Sequence, residues 1–155
     1  MALATMAAIY GGLKTVLSAV SGVDQSATDS YLPSVQTVDT ALIITPFGKE
    51  SRFGINTFGD TAATWQAHRI RCEFWTKHMG LDSSTMTRAW DIGSAAVVAL
   101  YASPTLGGVI DSIGFWDGSQ SFDYQIDAVT DDQMLEIAGV PYLRTVVIVP
   151  VSDFA

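Results

Sequence analysis

A chain of 155 residues is the usual size of one domain and long enough to bury a core without disulfide or metal staples. Apolar residues make up 48% of it and charged residues only 15%, against about 25% in ordinary soluble domains, which leaves apolar surface over for contacts between subunits. The net charge of −8, with eight basic residues scattered from Lys14 to Arg144, argues against tight binding to a nucleic-acid backbone. The lone Cys72 excludes an internal disulfide and fits assembly in a reducing cytosol. No apolar run approaches the roughly 18 residues of a membrane span.

Leu3, Met6, Tyr10, Leu13 and Leu17 step by three or four, which predicts a helix with one apolar face. Ala2–Val20 has the apolarity of a signal peptide, but it lacks a basic start and is interrupted by Gly11, Gly12 and Lys14, so it is read as part of the fold. The two glycines each cost a helix about 1 kcal/mol relative to alanine, and tertiary packing has to hold it. Ser21–Val38 is polar and aperiodic and reads as a connecting loop.

Ala41–Ile44 is a short apolar run suited to a strand buried on both faces. Phe47–Thr64, with Gly48, Gly54 and Gly59 between Phe53, Ile55 and Phe58, reads as a long glycine-rich arm whose aromatics dock on a neighbour. Trp65–Lys77 is expected to be a long strand. Ile70, Cys72 and Phe74 on one face belong to the core, while Arg69, Arg71, Glu73 and Trp75 share the other. Aromatic and arginine side chains are enriched at interfaces, so Phe53, Phe58, Trp65, Arg69, Arg71 and Trp75 are the expected contact residues.

Asp82 or Ser83 can cap a second helix running to about Ala102, with Met86, Trp90, Gly93, Val97, Leu100 and Tyr101 at helical spacing and Pro104 as the stop. Val109–Phe115, Ser121–Val129 and Tyr142–Val151 read as strands, the last ending at Pro150 or lying at an edge. Asp131–Gly139 reads as a helical turn. The order predicts a single α+β domain over 1–155, with a mostly antiparallel sheet of about four to five strands and two helices packed on one face.

The sequence contains no Gly-x-Ser-x-Gly elbow and no Ser-x-x-Lys. Cys72 lies mid-strand among apolar neighbours, the setting of a structural thiol. His68, Cys72 and His78 lack a compact partner pair to complete a metal tetrahedron. The acids of Asp111–Glu136 match no calcium-loop spacing and read as a solvated face, those of Ser121–Val129 lying on the polar side of a predicted strand. Gly107-Gly108 follows a helix, whereas a phosphate cradle opens one. No catalytic residue, cofactor or metal is expected.

Three stretches carry a resemblance. Tyr31-Leu32-Pro33-Ser34-Val35 leads out of the first loop, Val97–Val109 ends the second helix in Pro104-Thr105-Leu106-Gly107-Gly108, and Gly139-Val140-Pro141-Tyr142-Leu143-Arg144 enters the closing strand. Together their order resembles the tail terminator proteins of long-tailed bacteriophages, grouped with minor tail and neck proteins. The resemblance implies an α+β virion subunit, assembled in the host cytoplasm, that forms a six-membered ring on the tail tube and offers a surface to the head connector or stopper. The Phe47–Thr64 arm and the acidic Asp117–Gly139 stretch depart from that pattern, so a neck, head-closure or tail-completion role stands beside it. If the genome passes through such a ring without specific binding, an acidic lumen built from Asp123, Asp127, Asp131, Asp132 and Glu136 would repel it. Two readings of other classes compete. One is a monomeric module binding a ligand on Trp65, Trp75, Trp90 and Trp116, and the other is a hydrolase using Asp123 and Asp127.

Overall fold

Thr5 opens the first helix, α1 (Met6–Ser18), by accepting the Ala8 N–H on its hydroxyl at 3.1 Å, which satisfies one of the free amides of the first turn. Ile9, Leu13 and Leu17 point inward, with Met6, Tyr10 and Val16 partly covered beside them. Gly12 is also buried, and a Cβ there would come within 3.1 Å of the Leu106 side chain. The computed structural model describes residues 2–27, 40–44, 50–58, 61–78, 84–119, 121–131, 133–137 and 139–155.

Strands β1 (Gln25–Ala27), β2 (Thr40–Ile44), β3 (Glu50–Phe58) and β4 (Thr61–Lys77) follow. Then come α2 (Ser84–Ala102), β5 (Ser112–Ile113), β6 (Phe115–Trp116), β7 (Phe122–Asp123), β8 (Asp127–Thr130), β9 (Leu135–Ile137) and β10 (Val140–Phe154). The architecture is α+β. Eight strands form the main sheet among the described residues, more than the four to five expected, and all its pairs are antiparallel except β1 with β2. β6 and β7 pair separately.

The surplus of strands has a simple cause. β4 and β10 run side by side from Trp65–Phe154 to Lys77–Tyr142, and each outer edge of this long ribbon is too long for one partner. β2 and β3 share the outer edge of β4 in tandem, and β9, β8 and β5 share that of β10. Both helices lie on one face. Their buried side chains meet Leu42, Ile44, Ile70, Cys72, Phe74, Val147, Val149 and Val151 in the main core.

Several expectations change. The glycine-rich arm is largely β3 and the first residues of β4, in an antiparallel pair that runs from Glu50–Arg69 to Phe58–Thr61. Asp131–Gly139 holds β9 instead of a helical turn. Ser121–Val129 is broken into β7 and β8. β10 runs through Pro150 to Phe154 with Pro150 in register opposite Arg69. The Pro150 carbonyl accepts the Gly114 N–H at 2.8 Å. The N and C=O of one strand residue point the same way, so the missing N–H falls on the Gly114 side and costs β4 no bond. The proposed caps Asp82 and Ser83 lie outside the described residues.

Candidate assembly surface

The sheet face away from the helices carries the odd residues of β4 and the even residues of β10. Near its middle Glu73 is nearly buried and gathers charge from two strands. Arg71 donates to its Oε1 at 2.8 Å and Arg144 at 3.4 Å, while the Trp75 indole N–H reaches Oε2 at 3.4 Å. Arg144 also binds Asp131 at 2.9 Å and lies over the Trp75 ring. Further along, Arg69 sits 4.1 Å over the Phe115 ring and binds Asp123 at 3.1 Å.

This network takes up Arg69, Arg71 and Trp75, three of the six expected contact residues. Trp75 is 9% exposed, packed edge-on against Tyr142 with Ile43 beneath. Trp65 is 8% exposed, in edge contact with Trp116 and clustered with Ala67 and Phe115. Both indoles are therefore covered within the chain and offer a neighbour little area, unlike the exposed contacts expected of them. Arg69 and Arg71 are half-buried with carboxylate partners of their own. Phe53 remains open, 66% exposed. The Phe58 side chain lies outside the described residues.

The expected acidic face is likewise partly neutralised. Asp123 and Asp131 are paired with Arg69 and Arg144. Asp127 and Glu136 are exposed on the margin beyond β10, and Asp132 lies outside the described residues. The four tryptophans do not line one groove. Trp65 and Trp116 share one cluster, Trp75 another, and Trp90 stands on the helix side, 58% exposed.

Neither the family models nor the curated proteins include a match to this chain.

No group of three metal-binding side chains occurs among the described residues. Of the three candidate ligands, His68 is held between Ser51 and Gln66, at 2.8 and 3.0 Å, and His78 faces the Thr85 hydroxyl at 3.1 Å. Cys72 is fully buried, and burial together with the neighbouring Glu73 charge pushes its thiol far above the usual range, which keeps it protonated and unreactive. No helix among the described residues is long and apolar enough to cross a membrane.

The two lateral margins of the sheet differ from this occupied centre. On one side, Phe53 and Ile55 project from β3 toward the helix side, and Ile55 is 67% exposed. Between them Gly54 lies under the Trp65 indole, and a Cβ at that position would overlap the ring. On the other side, Trp90, Gly93 and Val97 of α2 and Ala128 and Thr130 of β8 line an open groove. Ile55 and Trp90 were not among the expected contacts. The signal for Ile55 was present in the alternation Arg52-Phe53-Gly54-Ile55, the period of a strand with one apolar face.

Proposed function

We propose that the protein is a structural subunit that assembles with copies of itself into a ring at the end of a bacteriophage tail tube. There it would end the tube and meet the head connector. The observation that carries the self-assembly is the placement of exposed apolar side chains on opposite lateral margins, Phe53 and Ile55 on one and Trp90 and Val129 on the other. A molecule with different sticky surfaces on two sides makes head-to-tail contacts, which close into a ring or run on as a filament. Low charge and a surplus of apolar residues fit such a subunit. The place on a phage tail rests on the resemblance of the Tyr31–Val35, Val97–Val109 and Gly139–Arg144 stretches.

The acids add less to a DNA passage than five free carboxylates would, because arginines hold Asp123 and Asp131. A tryptophan-lined binding groove is disfavoured by the separation of the four indoles.

Sedimentation equilibrium and negative-stain images of the purified protein test the reading. A mass near six subunits with annular particles is the expected result. A monomer at every concentration up to about millimolar would remove the ring. Capture of tube protein in preference to connector protein by the assembled rings would separate a tail terminator from a head-closure component.

A further inference from the structure

A nine-residue edge strand with bare apolar side chains is a feature that folded proteins normally blunt with charge, proline or a bulge. β3 has its outer edge unpaired among the described residues, and Phe53 and Ile55 stand exposed along it. Among the described residues the opposite margin ends in a second unpaired edge, that of β8. The strand directions of the two margins are compatible. Across β8, β10, β4 and β3 the direction alternates, so a copy placed beside the first sets its β8 antiparallel to β3 and continues the alternation without a break.

The side chains are compatible too. Phe53 and Ile55 share the helix side with Ala128 and Thr130, and the groove between α2 and β8 opens on that same side. On the other side, Arg52 of β3 and Asp127 of β8 are opposite in sign and both exposed. Phe53 lies opposite Asp153 of β10 by way of Gln66, and Ala128 lies opposite Val147, all on the helix side, so setting Phe53 against Ala128 staggers the copies by 153 − 147 = 6 residues along the ribbon. A stagger of this kind tilts strands relative to an axis, which closure of a continuous sheet requires.

We infer that β3 of each copy adds as a strand to the free edge of β8 of the next copy. In this junction Phe53 stands opposite Ala128 with Ile55 next along the same side, at the groove formed with Trp90, Gly93 and Val97, and Arg52 lies one diagonal step from Asp127 on the other side. The inference rests on the ring reading and names its contact. Main-chain bonds supply the attachment, and alternate side chains entering the groove supply the fit. The occupant is a second copy because its β3 matches this edge in strand direction, apolar face and charge.

Charge reversal at the two exposed positions tests the junction, with Arg52→Gln as the control for the contact that Arg52 makes over the Phe115 ring of its own chain at 5.7 Å. Arg52→Asp and Asp127→Arg should each weaken assembly at least tenfold in sedimentation equilibrium, while circular dichroism stays that of the wild type. Mixing the two variants should restore rings of alternating composition, because each β3 then meets a β8 of opposite charge. Phe53→Ser should weaken assembly as strongly, and no mixing partner should rescue it. If wild type forms rings while these variants assemble equally well, or while the mixture is no better than either variant alone, the junction is overturned and the ring stands. If wild type is monomeric throughout, both fall.

Discussion

Gly11 and Gly12 are neighbours in α1 with opposite reasons for being glycine. Around Gly11 a Cβ would meet nothing within 4 Å, and the residue is exposed. Gly11→Ala should therefore stabilise the protein by about 0.5–1 kcal/mol, through the unfolded chain's lost freedom. At Gly12 the added methyl would press on the Leu106 side chain and carbonyl. Leu106 is itself held at a positive φ of 49° in the turn after α2, so it yields poorly. Gly12→Ala should lose the helix gain and destabilise by about 1 kcal/mol or more. Urea denaturation of the two variants checks the pair, and equal shifts in midpoint would contradict the packing account.

His68 is the other residue whose surroundings make a measurable demand. Its Nε2–H donates to Gln66 Oε1, whose own amide N–H donates to the Ala4 carbonyl, so Nδ1 is left to accept from Ser51. Burial lowers its pKa below the ordinary value of about 6.5. The folded state then binds a proton less readily than the unfolded chain. Stability from the neutral imidazole is complete above about pH 6.5 and is lost as the pH falls toward the lowered folded value. Between pH 7 and pH 5 the wild type should lose more stability than His68→Gln, in which this titration is absent. Parallel pH profiles of the two would show that His68 carries no such linkage.

At the scale of elements, the long regular pieces were legible and the way they turn was only partly so. The β4 alternation of Ile70, Cys72 and Phe74 against Arg69, Arg71 and Trp75 is the observed division between core and outer face, because a period of two leaves no freedom once one side is buried. For α2 the bounds agree closely, but the buried stripe is Ala89, Ile92, Gly93, Ala96 and Leu100, while Trp90 and Tyr101 stay exposed. Large apolar residues were taken as the inward face. Here small residues face inward because α2 lies close on β10, where a Cβ at Gly93 would reach 3.0 Å from Thr145. Pro150 misled for a similar reason. Which side of a strand lacks a partner decides whether proline is tolerated, and that is a property of the assembled sheet.

The candidate contact surface shows the same limit. Phe53 could be recognised as an exposed aromatic, but Trp65 and Trp75 resembled it in sequence and ended covered by Trp116 and Tyr142. Aromatic and arginine residues on one strand face identify a surface that something covers. They do not say whether the cover comes from the same chain. Here Tyr142, Phe115 and Trp116 arrive from more than 35 residues downstream and supply it.

On the scale of the whole molecule, charge and apolar contact oppose each other in any assembly of this chain. Every copy brings a net charge of −8, so a ring concentrates like charge, and that repulsion acts over the full width of neighbouring subunits. The junction attraction between Arg52 and Asp127 would act over one short contact that partly excludes water. Raising the ionic strength from 0.01 to 0.15 M shortens the screening length from about 30 Å to about 8 Å, which removes most of the long-range repulsion and less of the close pair. The wild-type ring should therefore tighten with added salt over this range. Arg52→Asp adds two more units of negative charge per copy and turns the close pair repulsive, so its assembly should gain more from the same salt than the wild type does. Sedimentation equilibrium of both proteins at the two ionic strengths measures this difference. A wild-type ring that loosens as salt rises would mean that ion pairs between subunits outweigh the net charge, and the apolar seating of Phe53 and Ile55 would then be the lesser part of what holds the ring closed.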